Sequence, residues 1–252
     1  MLRLQPFRVL APLLLAALAG PSSLAAQDFF FGAPRGSVTF RVGRLLARSE
    51  GEVFDHTFRN LTVEPEDLNA LAVGVDLALR VAERVDIVAG AGFSWTSIPS
   101  ELIHWVEEEN DEPIRQTTSF SQVPLTLGAR LYLTPRGRSI SRFAWIPARA
   151  TLFVTAGAGM THHAYEQEGD FVDEETLDIF TDELHTSGWA GLVYIGGGAE
   201  LRVSTRAALV ADARYSRGSG RAAGDFSGLD QTDREDIALG GLAMSVGLAV
   251  TF

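Results

Sequence analysis

Eight segments of this chain alternate apolar with small or polar residues at a period of two, each over ten residues or more, and that pattern requires extended backbone with two unlike faces. They cover residues 36–48, 69–81, 85–97, 118–133, 150–162, 187–203, 207–216 and 236–252. The second is the plainest. Leu71, Val73, Val75, Leu77, Leu79 and Val81 share one face, and Ala72, Gly74, Asp76, Ala78 and Arg80 the other.

Each segment is long enough to cross a bilayer when tilted. The connections alternate in length: 82–84 and 204–206 are tight, 134–149 is a longer basic exception, and 49–68, 98–117, 163–186 and 217–235 are long and polar. Short turns at one end and long loops at the other describe an up-and-down meander. An open sheet would leave edge backbone groups unpaired in lipid, so the sheet must close. The expected fold is all-β, a transmembrane up-and-down antiparallel β-barrel of about eight strands, with its long loops outside the cell. A soluble barrel of lipocalin shape is the rival, and it would need a more polar outward face than 71–81 provides.

Residues 1–26 carry Arg3 and Arg8, an apolar run over 9–19, and a small-residue ending Leu24-Ala25-Ala26, the order of a secretory signal peptide. Residues 27–252 then form one barrel domain. No later run of 18 apolar residues exists, which excludes helical spans. The absence of cysteine excludes disulfides, thiol catalysis and cysteine metal sites. A net charge of -11 argues against nucleic acid as a partner, because phosphate binding needs a basic face.

Charge divides along the expected membrane normal. Counting Asp236 at the neighbouring strand end, the four long loops hold 26 of the 32 acidic residues, and the third, with Glu166, Glu168, Asp170, Asp173, Glu174, Glu175, Asp178, Asp182 and Glu183, contains no basic residue. Arg84, Arg136, Arg138, Arg142, Arg149 and Arg206 fall at the opposite end. The acidic loops read as solvated surface, or as oxygen-rich collectors of divalent cations, Ca2+ or Mg2+, that bridge to lipopolysaccharide phosphates. No resident metal site and no cofactor are expected.

Eight charged residues fall on the small or polar side of their strands: Arg41, Asp76, Arg80, Arg130, Glu200, Arg202, Asp212 and Arg214. Charges withdrawn from water need partners, so they are expected to pair across the lumen. An eight-stranded barrel is just wide enough for side chains to fill it, which makes these pairs a plug. A narrow ion or solute path gated by the same pairs is the alternative. The glycines of 90–92, 157–159 and 196–198 lie inside strands with no helix following, so they make no phosphate cradle. His162 and His163 point to opposite faces, which is poor metal geometry. His185 and Ser187 share a face, and a His beside a Ser is a nucleophile pairing.

The final strand places Met244, Val246, Leu248, Val250 and Phe252 on one face and ends on an aromatic. It resembles the C-terminal signal strand of bacterial outer-membrane barrels, which the assembly machinery reads. Together with 123–133, 154–159 and 196–202, it makes nearly the whole mature chain resemble the small OmpA, OmpX and OmpW type of barrel. That resemblance implies the outer membrane as location, and the barrel assembly machinery, outer-membrane lipids and lipopolysaccharide as partners of a monomer. It implies a non-enzymatic role in surface interaction or envelope integrity, with no catalytic residue; a narrow channel is one alternative. His185-Thr186-Ser187 is also similar to the His-x-Ser element of the lipid A deacylases, a lipid A-modifying hydrolase reading in which Glu200 orients His185. Gly188 stands where that family has Asn.

Overall fold

The computed structural model describes residues 31–106, 113–141, 144–172, 179–221 and 236–252. The expected signal peptide, 1–26, lies outside them, as do the centres of the second, third and fourth long loops. Ten strands are present among the described residues: β1 Gly36–Ala47, β2 Ala70–Arg80, β3 Val85–Val106, β4 Pro113–Tyr132, β5 Gly137–Ser141, β6 Ala144–Pro147, β7 Ala150–Val172, β8 Ile179–Arg202, β9 Ala207–Arg221 and β10 Asp236–Thr251. Eight close into an antiparallel ring in the order β1-β10-β9-β8-β7-β4-β3-β2. The other two, β5 and β6, make a separate hairpin inside the basic 134–149 connection, so that connection adds no strand to the ring.

The stagger follows from the register. Starting at Leu46 and stepping through Leu242, Tyr215, Ile195, Ala156, Ala129, Ile87 and Leu79, the ladder returns to β1 at Gly36, ten residues from its start. With eight strands, that stagger tilts each strand by roughly 40° from the barrel axis.

The two faces divide as the alternation requires. Leu127, Ile195 and Val246 point outward with 61%, 62% and 62% of their surface exposed, and Asp76, Arg130 and Thr39, pointing inward, are each 0% exposed. Outward aromatics gather toward the long-loop end, as Phe93, Trp95, Trp189 and Tyr215, and Phe252 marks the short-turn end. Inside, Gly128 and Gly157 face each other across β4 and β7. A Cβ on Gly128 would stand 2.5 Å from the Tyr194 hydroxyl, and one on Gly157 2.7 Å from its ring, so these glycines let Tyr194 lie across the lumen.

At the long-loop end the strands outrun the hydrophobic alternation. β3 continues to Val106, β7 to Val172 and β9 to Arg221, while β4 and β8 begin at Pro113 and Ile179. Much of 98–117 and 163–186, expected as loop, is ladder. The reason is that Thr117, Ser119, Glu166, Glu168 and Glu183 lie beyond the apolar belt: once the outward face meets water, both faces are polar and the period vanishes although the hydrogen bonds continue.

The first long connection also departs from expectation. It contains helix α1, Glu52–Asn60, and a 3-10 turn, Pro65–Leu68. Gly51 starts the helix at φ 121, a conformation that favours glycine. Phe54, Phe58 and Leu61 then recur at helical spacing on one face. Rather than a solvated loop, this segment is a stopper.

Candidate functional site

The lumen is filled at two levels. At the long-loop end, α1 inserts Val53 and Phe54 among Phe120, Tyr165, Ala190, Ile237 and Leu239, with Leu68 of the 3-10 turn beside them. Phe54 meets Phe120 and Tyr165 edge-on at 5.5 and 5.9 Å between ring centres. Thr57 and the Tyr165 hydroxyl are 2.7 Å apart, and Gln167 Nε2 donates to that hydroxyl at 2.9 Å, so the hydroxyl that Tyr165 buries in this packing is satisfied.

Nearer the short turns the filling is ionic. Asp76 is its hub, contacted by Arg41 at 2.9 Å, by Arg130 at 3.5 Å and by Arg214. Arg214 also binds Asp212 at 2.9 Å, and Arg130 binds Glu200 at 3.2 Å. The five strands that carry these residues thus join three guanidiniums to three carboxylates, and the set is neutral. Aromatic rings complete it: the Arg130 guanidinium lies 4.4 Å over Phe153, and Tyr132 donates to Glu200 at 2.9 Å. Between the two fillings a cavity of about 120 Å3 remains, with Arg41, Arg214, Tyr194, Thr126, Gln122 and Leu45 in its wall.

Two of the eight charges expected in this network stand apart. Arg80 sits where β2 enters its turn and donates to the carbonyls of Ala82 and Glu83 at 3.3 and 3.2 Å, because its strand position is too close to the turn to reach the hub. Arg202 donates to Thr251 at 3.0 Å and forms no ion pair among the described residues. A pair the sequence reading missed is Asp86 with Arg136, 2.7 Å apart. Asp86 is in phase with the inward Gly90 and Gly92, a signal available in the alternation. Arg136 comes from a turn, where no period exists. Met244, Val246 and Val250 face outward on β10, Leu248 shares their side, Phe252 is exposed just past the strand's end, and β10 closes the ring against β1.

The His-x-Ser element lies within β8, with His185 and Ser187 exposed on the outer wall and Thr186 buried between them. Glu200 cannot orient His185: it faces the lumen, bound to Arg130, near the opposite end of the same strand. The carboxylate opposite His185 in the ladder is Glu166 of β7, and Glu183 flanks it. Burial, and then the neighbouring Glu183, push the Glu166 carboxyl above the usual carboxylate range. His162 and His163 do diverge, the first stacking edge-on against the outward Trp189 at 5.2 Å and the second buried in the lumen. Among the described residues no three His, Asp or Glu are grouped to hold a metal ion, and Asp173, Glu174, Glu175 and Asp178 of the acidic loop lie outside those residues.

No protein-family model and no curated protein matches the chain. Solved structures do. Neisserial surface protein A shares 8% identity at a TM-score of 0.46, over 90% of this chain and 98% of that one. The outer membrane protease OmpT from Escherichia coli shares 9% identity at 0.43, over 87% and 94%. The outer membrane protein OprG from Pseudomonas aeruginosa shares 9% at 0.40, over 88% and 99%.

Proposed function

We propose that this chain is an integral outer-membrane barrel, closed to solutes and non-enzymatic, whose work is done by the strand extensions and loops above the bilayer, in surface interaction or envelope integrity. The observation that carries the reading is the double filling of the lumen, an aromatic stopper above a neutral ion-pair network. The outward apolar belt supports the membrane setting: a wall of exposed Val, Leu and Ile between aromatic ends suits lipid and not water. The acidic ends of β7 and β8 then project outside the cell, and the Arg-bearing β5–β6 hairpin faces the periplasm. The test is conductance of the refolded protein in a planar bilayer. A silent bilayer is expected; reproducible single-channel steps from the wild type would replace this reading with that of a narrow channel.

A second reading rests on one observation, the placement of Glu166 opposite His185 with Ser187 two residues along the same outward face. In it Ser187 is the nucleophile, His185 the base and Glu166 the orienting group of an acyl hydrolase acting on lipid A. Wild-type protein should then release fatty acid from lipid A, and Ser187→Ala should lower that rate by about 10³-fold or more. No release by the wild type ends this reading.

A further inference from the structure

A charged depression interrupts the outward wall where β8, β9 and β10 leave the apolar belt. Its floor is made of residues with little or no side chain: Ser219 pairs with Ala238 in the ladder, and Gly191 lies beside them, with nothing within 4 Å of where its Cβ would stand. The depression holds about 460 Å3. Arg217 on β9 and Arg48 at the end of β1 flank Gly240 of β10 at one level: Gly240 pairs with Arg217, and the Arg48 amide donates to the Gly240 carbonyl at 3.1 Å. Arg44 follows on the same outward face of β1, four residues lower and about 13 Å along the strand.

Three features separate this place from an ordinary solvated rim. Its backbone is fixed, since the Ala238 amide also donates to the Glu50 carbonyl at 3.0 Å. The Arg48 side chain is only 18% exposed, held in place beside Glu50, which is 69% exposed. The Arg44 and Arg217 side chains have no hydrogen bond or ion pair among the described residues, and Arg44 stands beside Met244, within an otherwise apolar wall. Arg48 and Arg217 against Glu50 leave a positive excess at the depression, and Arg44 adds a further positive charge lower on the same wall of an acidic protein. An unpaired Arg on a lipid-facing wall is costly in the belt and tolerable near its edge, where its head can reach the interface.

We infer that this depression binds the phosphate of a phosphorylated glycolipid of the surrounding leaflet. The inference rests on the membrane reading above. A phosphate monoester carries nearly two negative charges and accepts paired N–H donors from guanidinium, the geometry Arg48 and Arg217 offer across Gly240. The acyl chains run down the wall over Val193, Leu242 and Met244, which are 58%, 37% and 48% exposed. The same shape explains the small floor: a sugar ring needs room where side chains would otherwise stand.

The test refolds the protein into phosphatidylcholine vesicles doped with diphosphoryl lipid A or with its dephosphorylated form, re-isolates it, and measures retained lipid by native mass spectrometry. Wild type should retain the phosphorylated form at least about tenfold better, and the Arg48→Gln, Arg217→Gln double variant should lose that preference. Gly191→Leu, whose side chain enters open space and should not disturb folding, should lose it as well. Equal retention of both lipids, retention unchanged in both variants, or displacement by inorganic phosphate at equal affinity overturns the site. Failure of the wild type to fold into phosphatidylcholine alone overturns the membrane reading, and the site with it; folding there without lipid preference overturns the site alone.

Discussion

Replacing Asp76 with Ala is expected to cost the folded barrel about 3–5 kcal/mol, the range for breaking a buried ion pair by removing one partner. The side chain is fully buried and answers three guanidiniums. Without it Arg41 turns to Asp212, 3.8 Å away, and Arg130 keeps Glu200, but Arg214 must share Asp212. Three positive charges then face two negative ones inside the lumen. The measurement is the urea midpoint of the protein refolded in vesicles. Adding Arg214→Gln to Asp76→Ala should recover part of the loss, because it removes the guanidinium left in excess; no recovery would mean that Asp76 acts through packing rather than charge.

Phe54→Ala should release the stopper while leaving the barrel wall intact. Truncating a fully buried phenylalanine costs about 3–5 kcal/mol, and here nearly all of that falls on α1, nine residues long and too short to persist alone. Arg59 lies in the last turn of that helix, so limited trypsin cleavage after Arg59 reports the release directly. Cleavage should rise at least about tenfold over wild type, with the folded barrel band unchanged on an unheated gel. Protection equal to wild type would show that Leu61, whose bridge to Leu102 ties the segment to β3, holds it without Phe54. The two fillings stand in series along the lumen. Phe54→Ala alone should therefore remain silent in a bilayer, and conductance should require loss of the Asp76 network as well.

How much of this the sequence carried depends on the range over which each signal acts. The eight strands, their outward faces and the inward side of Asp76, Arg130, Glu200, Asp212 and Arg214 follow from residue parity. Parity is local, because neighbouring side chains meet lipid-like and lumen-like surroundings in strict alternation, and Met244 to Phe252 shows it to the last residue. Where both surroundings are polar the parity signal disappears, which is why the outer halves of β7 and β8 read as loop.

The partnerships were decided by closure. Arg214 meets Asp76 across 138 positions of sequence because a ring with a ten-residue stagger brings β9 and β2 face to face over the lumen. No local pattern contains that number, nor the turn position that withholds Arg80 from the hub and supplies Arg136 to Asp86. Phe54 is the clearest case. Its helical spacing with Phe58 and Leu61 stands in the sequence, but only the width of the closed ring, with Phe120, Tyr165 and Leu239 pointing into the lumen near the mouth, turns an amphipathic turn of chain into a stopper. The sequence by itself determined which way each strand side chain faces, since that depends on neighbours two residues away. The tertiary structure alone decided what each inward side chain touches, since that depends on how the ring closes.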